Sequence, residues 1–203
     1  MIAIVDYGVG NLFSLSSSLK ALGVTAEVTA DSKRLRAADR IILPGVGAFG
    51  DAIDKLRRTG LVPLLLEEAA QKPLLGICLG MQLLLDRSME YGERAGLGLI
   101  PGEVVSLRED LTDPTLKVPH MGWNSLHKTK ADPLLRYVDE GEYVYYVHSF
   151  YARGCGADTL AVSDYGGVAV TGAVGRGSVR GVQFHPEKSG DTGLRILKAF
   201  SEL

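Results

Sequence analysis

Cysteine and tryptophan are scarce in this chain, with two cysteines, Cys78 and Cys155, and one tryptophan among 203 residues. Two thiols form at most one bridge, and a chain of this length buries enough apolar surface to hold its core without one. A disulfide scaffold is excluded, and a reducing, cytoplasmic setting is expected. No charge of one sign dominates either. The 22 basic and 24 acidic residues leave a net charge of −2, too small to gather nucleic acid or an anionic membrane. Long apolar runs are also missing. The greasiest stretch, Leu74–Leu85, contains Gln82 and falls short of the roughly 18 to 20 residues that span a bilayer. The opening Met1–Asp6 has no basic region and its apolar run stops at Asp6, unlike a signal peptide. Repeats and low-complexity tracts are absent. The remaining composition, 46% hydrophobic and 23% charged, is that of a folded protein. Set against about 150 residues per domain, the length indicates one domain spanning 1–203.

The first 85 residues alternate short apolar runs with helical patterns. Ile2–Val5 precedes a helical pattern over Leu12–Leu22, Thr25–Thr29 stands alone, Arg40–Leu43 precedes Ala48–Arg58, and Leu74–Ile77 precedes Leu79–Leu85. Runs such as Ile41-Ile42-Leu43, apolar at every position, suit strands covered on both faces. This rhythm predicts an α/β fold with a doubly wound, mostly parallel sheet and helices on both faces. From Gly96 onward the texture changes to more polar strand candidates: Glu103–Leu107, Asn124–His127, Tyr143–Phe150, Leu160–Tyr165, Val168–Val174 and Val179–Phe184. Gly166-Gly167 reads as a hairpin turn between two of them. An added antiparallel portion is therefore expected in the C-terminal half. Leu194, Leu197 and Phe200 recur at helical spacing over Gly190–Leu203, behind the candidate caps Ser189 and Asp191.

Wound sheets bind ligands at the carboxyl ends of their strands, so the loops there hold the candidate chemistry. Asp6–Asn11 begins like a dinucleotide fingerprint but has Phe13 where the third glycine belongs. Gly45-Val46-Gly47-Ala48-Phe49-Gly50 completes the pattern. Its acidic residues about 20 positions on, Glu67 and Glu68, fall within a helical pattern and not at a strand end where a ribose would lie. A strip of backbone N–H groups beside a reaction centre fits this loop better, since glycine allows close approach. The third loop, Gly76-Ile77-Cys78-Leu79-Gly80, has the form of a nucleophile elbow, a sharp strand-to-helix turn that pushes its central side chain out of the sheet. Placed at the start of a helix, the thiol meets the positive end of the dipole, which favours thiolate. The same five residues would also accommodate a cysteine that merely fills space.

A cysteine nucleophile needs a proton carrier, and histidine is the side chain suited to it near neutral pH. Of His120, His127, His148 and His185, the last is followed two residues on by Glu187. In an extended segment the two would point the same way, so the carboxylate could orient the ring. His185-Pro186-Glu187 follows the run Val179–Phe184, which brings it to the same sheet edge as Cys78. No histidine pair has the i, i+3 or i+4 spacing of a metal site. A stand-alone cysteine hydrolase would also use an elbow and such a triad, and a catalytically silent binding subunit is the non-enzymatic alternative, against which the intact Cys78, His185 and Glu187 argue.

Gly76–Gln82 followed by Gly181–Glu187 resembles the class I, triad-type glutamine amidotransferases. Four further segments, Asp6–Leu12, Pro44–Phe49, Val118–Asn124 and Val147–Phe150, are similar to the glutaminase subunits of imidazole glycerol phosphate synthase in that family. The resemblance implies that Cys78 attacks the glutamine side-chain amide, that His185 serves as base, and that Glu187 orients it. It implies oxyanion donors at Leu79 and in the Val46-Gly47 segment, and substrate contacts from Gln82, Glu90 and Ser149. It also implies a partner, the (β/α)8-barrel cyclase subunit, met through His120, Met121, Trp123, Asn124 and Lys188, with L-glutamine as substrate and no cofactor or metal. Phe150 stands where tyrosine is frequent in that family, which removes a hydroxyl.

Overall fold

The computed structural model describes Met1–Leu203. Its strands are β1 (Ile2–Val5), β2 (Ala26–Thr29), β3 (Arg40–Leu43), β4 (Leu74–Ile77), β5 (Leu85–Ser88), β6 (Arg94–Ala95), β7 (Ile100–Ser106), β8 (His120–Ser125), β9 (His127–Lys128), β10 (Tyr143–His148), β11 (Phe150–Arg153), β12 (Thr159–Tyr165), β13 (Val168–Arg176) and β14 (Val179–Val182). The helices are α1 (Leu12–Ala21), α2 (Ser32–Ala37), α3 (Phe49–Arg58), α4 (Val62–Ala69), α5 (Leu79–Leu83), α6 (Leu107–Asp110) and α7 (Gly190–Ser201). Eight strands form the main sheet in the order β2-β1-β3-β4-β14-β13-β12-β9. The first five run parallel and the last three antiparallel.

Alternation along the parallel strands explains why they are apolar throughout. Ala3, Val5, Ile41, Leu43 and Leu74 face one way and bury the inward sides of α2, α3 and α4, through Leu35, Phe49, Ile53, Leu56 and Leu65. Ile2, Ile4, Ile42, Leu75 and Ile77 face the other way, against Leu15 and Leu19 of α1 and Ile196, Leu197 and Phe200 of α7. A sheet covered on both faces leaves no side for polar residues.

Elsewhere the expected boundaries shift. The remaining strands are divided among the antiparallel far edge of the main sheet, an antiparallel β10-β8 pair and a four-stranded sheet ordered β11-β7-β5-β6, in which β5 and β7 run parallel and the outer pairs antiparallel. The expected strand Tyr143–Phe150 is broken at Ser149, because β10 pairs with β8 while β11 pairs with β7 in a different sheet. The helical pattern over Leu79–Leu85 ends at Leu83, where Leu85 enters β5. Gly166-Gly167 joins β12 to β13, and both glycines have positive φ, 60° and 80°.

Backbone crowding fixes the junction of β3, β4 and α5. A Cβ on Gly80 would stand 1.9 Å from the Leu43 carbonyl oxygen, and one on Gly76 would stand 2.6 Å from the Gly80 oxygen. Both neighbours are main chain and cannot rotate away. Gly80→Ala is expected to cost at least about 2 kcal/mol of unfolding free energy, as overpacking against backbone does; a denaturant midpoint equal to that of the unaltered chain would contradict the crowding argument.

Candidate functional site

Four parallel strands, β1, β3, β4 and β14, deliver their carboxyl ends to one edge, where chain order reverses around β1. Cys78 follows β4 there with φ 55° and ψ −111°. A non-glycine residue at positive φ costs on the order of 1–3 kcal/mol and persists only when its surroundings dictate it. Here the Cys78 N–H donates to the Val182 carbonyl at 2.7 Å, and the Cys78 carbonyl accepts from the Gln82 N–H at 3.2 Å. The elbow is thus tied to β14 on one side and to its own helix on the other.

His185 arrives from β14, but not on an extended strand. β14 stops at Val182, and Pro186–Lys188 form a 3-10 turn. From that turn the Glu187 carboxylate reaches back, and its Oε1 accepts from His185 Nδ1 at 2.8 Å, with the Glu187 side chain only 3% exposed. Ser189 pins the turn. Its hydroxyl donates to the His185 carbonyl at 2.7 Å and accepts from the Tyr145 N–H at 2.9 Å, while the His185 N–H donates to the Tyr145 carbonyl at 2.9 Å. Ser189, a candidate side-chain cap for α7, spends its hydroxyl on these two bonds instead.

Burial alone would lower the His185 pKa. Hydrogen bonding and charge from Cys78 and then Glu187 outweigh it and raise the value from 6.5 to about 10. The imidazolium is therefore the favoured form beside the sulfur. Cys78 and His185 line a cavity of about 320 Å³ together with Val46, Gly47, Leu79, Gln82, Glu90 and Ser149. Glu90 is buried, and its Oε2 accepts from the Phe49 N–H at 2.7 Å. Burial moves the Glu90 carboxyl pKa upward. None of the N–H groups of Gly45, Val46, Gly47 and Ala48 donates to another group of the protein.

A family profile described as glutamine amidotransferase class-I matches residues 3–202. The imidazole glycerol phosphate synthase subunit HisH of Listeria monocytogenes is 50% identical over 204 residues, covering 100% of this chain and 96% of that one. The HisH subunit of Wolinella succinogenes is 49% identical over 205 residues, covering 100% of both. The chain belongs to the HisH branch of the class I glutamine amidotransferases. Among solved structures, PurLQS from Thermotoga maritima superposes with a TM-score of 0.73 at 20% identity, covering 98% of this chain and 96% of that one. A glutamine amidotransferase from the same organism gives 0.63 at 16%, covering 99% and 82%. At such identities these two speak to the fold alone.

For this HisH-type amidotransferase, the expected site residues divide by location. Those expected at the reaction centre, the oxyanion loop and the substrate contacts line one cavity, with Glu187 directly behind His185. Glu67 and Glu68 lie on α4 and face Arg36 and Lys72, so the dinucleotide pattern at Gly45–Gly50 has no ribose partner. Among the residues expected at a partner surface, Met121 and Trp123 are exposed, at 62% and 55%, and Lys188 is exposed as well. His120 is not. Adjacent strand residues face opposite ways, so the alternation that turns Met121 and Trp123 outward turns the His120 ring inward, where it is 3% exposed. The Asn124 amide likewise points inward, toward His120 Nε2 and the Asp164 carbonyl.

Two residues with contacts to the site went unassigned in the sequence. Gln183 donates from Nε2 toward Cys78 Sγ at 3.7 Å, and its signal was a lone amide within the apolar run Val179–Phe184. His148 lines the cavity and is buried; nothing in its spacing distinguished it.

Two consequences can be measured. Ser189→Ala leaves the Tyr145 N–H without its acceptor and should cost about 1–3 kcal/mol, visible as a lower denaturant midpoint; an unchanged midpoint would mean the turn holds without it. The second concerns pH. A raised histidine stabilises the fold fully below its ordinary 6.5 and loses that contribution as pH climbs to about 10. Removing the sulfur in Cys78→Ala should flatten the decline of stability across that window, and an unaltered slope would show that Cys78 does not hold the imidazolium.

Proposed function

We propose that the chain, as one domain over 1–203, hydrolyses L-glutamine to L-glutamate and ammonia, with Cys78 as nucleophile. The Cys78 sulfur attacks the side-chain amide carbon, and His185 gives its proton to the departing ammonia. Water then attacks the resulting thioester, returning a proton to His185 and releasing glutamate. Glu187 holds the imidazole in the orientation and charge state this needs. The observation that carries this reading is the elbow itself: a positive-φ cysteine sharing one cavity with a histidine whose ring is held by a buried carboxylate.

The tetrahedral oxyanion needs donors, and Leu79 begins α5, where the first N–H groups have no intrahelical partner. The unspent N–H groups of Val46 and Gly47 border the same cavity and supply a second donor. Gln82, Glu90 and Ser149 then hold the amino-acid end of the substrate. Ammonia passes to a (β/α)8-barrel cyclase subunit that forms imidazole glycerol phosphate and aminoimidazole carboxamide ribotide. The names of the HisH relatives support this assembly, as do the exposed Met121 and Trp123 beside the His185 turn. Trp123 lies 3.8 Å from where a Cβ on Gly190 would stand and meets the Tyr145 ring edge-on at 6.0 Å. Aromatic anchors of this kind are enriched at interface hot spots. Lys188 shares that turn. Two buried free thiols and the biosynthetic task suit the cytoplasm.

Ammonia release from glutamine, assayed with the barrel subunit plus its nucleotide ligand present, should vanish in Cys78→Ala; continued release would overturn the assignment. Glu90→Gln keeps an oxygen for the Phe49 N–H and removes only charge. It should raise the KM for glutamine about tenfold or more, the worth of one charge-assisted hydrogen bond. An unchanged KM would remove Glu90 from the substrate contacts.

A further inference from the structure

Seven groups, from Asn124 on β8 to the sulfur of Cys78, are joined by hydrogen bonds whose directions can be settled one by one. The Asn124 amide is fixed at both ends, since Oδ1 accepts from the Ser125 N–H at 2.8 Å and Nδ2 donates to the Asp164 carbonyl at 2.8 Å. Its Nδ2 also faces His120 Nε2 at 3.4 Å, so that nitrogen is an acceptor. At the other end, His148 Nδ1 lies 3.0 Å from the Phe150 carbonyl oxygen, which only accepts, so Nδ1 carries a hydrogen. Between the rings, His120 Nδ1 meets His148 Nε2 at 3.0 Å. Both ends demand the same answer: His120 Nδ1–H donates to His148 Nε2. The Phe150 carbonyl also accepts from Gln82 Nε2 at 2.9 Å. That sets the Gln82 amide so that Nε2 donates to Gln183 Oε1 at 2.9 Å, which leaves the Gln183 NH₂ facing Cys78 Sγ at 3.7 Å.

We infer that His120 and His148 are positioning residues for Cys78: as neutral Nδ1–H tautomers they fix the Phe150 carbonyl and the amides of Gln82 and Gln183, so that a donor and not an acceptor faces the sulfur. This rests on the proposed role of Cys78. The surroundings keep both rings in place and uncharged. His120 is stacked between Tyr146 and Tyr165, with ring centroids 4.7 and 4.0 Å away. Burial lowers His120 to about 4, and burial, with the His120 and His185 rings beside it disfavouring a further cation, lowers His148 to about 3. A donor on the sulfur favours thiolate, whereas a flipped Gln183 would set a carbonyl dipole against it. His120, expected at a partner surface, thus acts inside the fold.

Nitrogen-15 spectra of histidine-labelled protein at pH 7 should show two neutral Nδ1–H rings that do not titrate between pH 5 and 8, assigned by their loss in His120→Phe and His148→Phe. Finding either ring as Nε2–H or as a cation overturns the inference, and this arm needs no variant to be active. Alkylation of Cys78 by iodoacetamide, read on the mapped peptide, supplies the second arm. His148→Phe should slow it about tenfold, the worth of one charge-assisted hydrogen bond. His148→Asn, whose amide places an N–H where Nδ1–H stood, should recover most of the rate. Alkylation at the unaltered rate in His148→Phe, or no recovery in His148→Asn, contradicts it. The tautomers and alkylation rates are read without glutamine. Failure of the nucleophile assignment would therefore appear separately, as ammonia release surviving Cys78→Ala.

Discussion

The site depends on main chain touching main chain where β3, β4 and α5 meet. Cβ atoms on Gly45, Gly76 or Gly80 would stand 2.5, 2.6 and 1.9 Å from backbone atoms of the facing segment. Only hydrogen fits at these three positions, so the chain can turn from β4 into α5 within a single residue. Cys78, at φ 55°, absorbs the strain of that turn. Everything the site offers follows: a thiol lifted out of the sheet, a helix start behind it, and the Val46-Gly47 loop held alongside by Gly45.

The histidines of this one site, His185 and His148 at its wall and His120 behind them, take different charge states for one physical reason. Burial disfavours every imidazolium there. At His185 it is overcome by Cys78 and Glu187, whereas His120 and His148 have no thiol or carboxylate partner, and the charge on His185 further disfavours a cation at His148. Which partners surround each ring decides its chemistry. The chain thus keeps one proton beside the Cys78 sulfur and a set of fixed dipoles behind it.

Much of this was legible in the sequence where the signal was local. Continuous apolar runs marked the parallel strands, and Gly76-Ile77-Cys78-Leu79-Gly80 marked the elbow before any fold was known. What was not legible depended on pairing between distant segments. Tyr143–Phe150 reads as one strand, and only its two partners, β8 and β7, show why it breaks at Ser149. His185 and Glu187 were expected side by side on an extended segment; a 3-10 turn, pinned by Ser189 to β10, brings them together instead. His120 illustrates the remaining gap, since a motif gives residue types but not the face of the strand each one takes. The alternation of β8 sent Met121 and Trp123 out and His120 in.

On the proposed chemistry, the sulfur of Cys78 is the first atom of the protein to bond to glutamine. Incubating the chain and the proposed barrel subunit with a glutamine-analogue affinity reagent, followed by peptide mapping, tests it directly. One label should appear, on the peptide that carries Cys78, and glutamine should protect against it. Labelling at Cys155 or elsewhere, or none at all, would rule out Cys78 as the nucleophile.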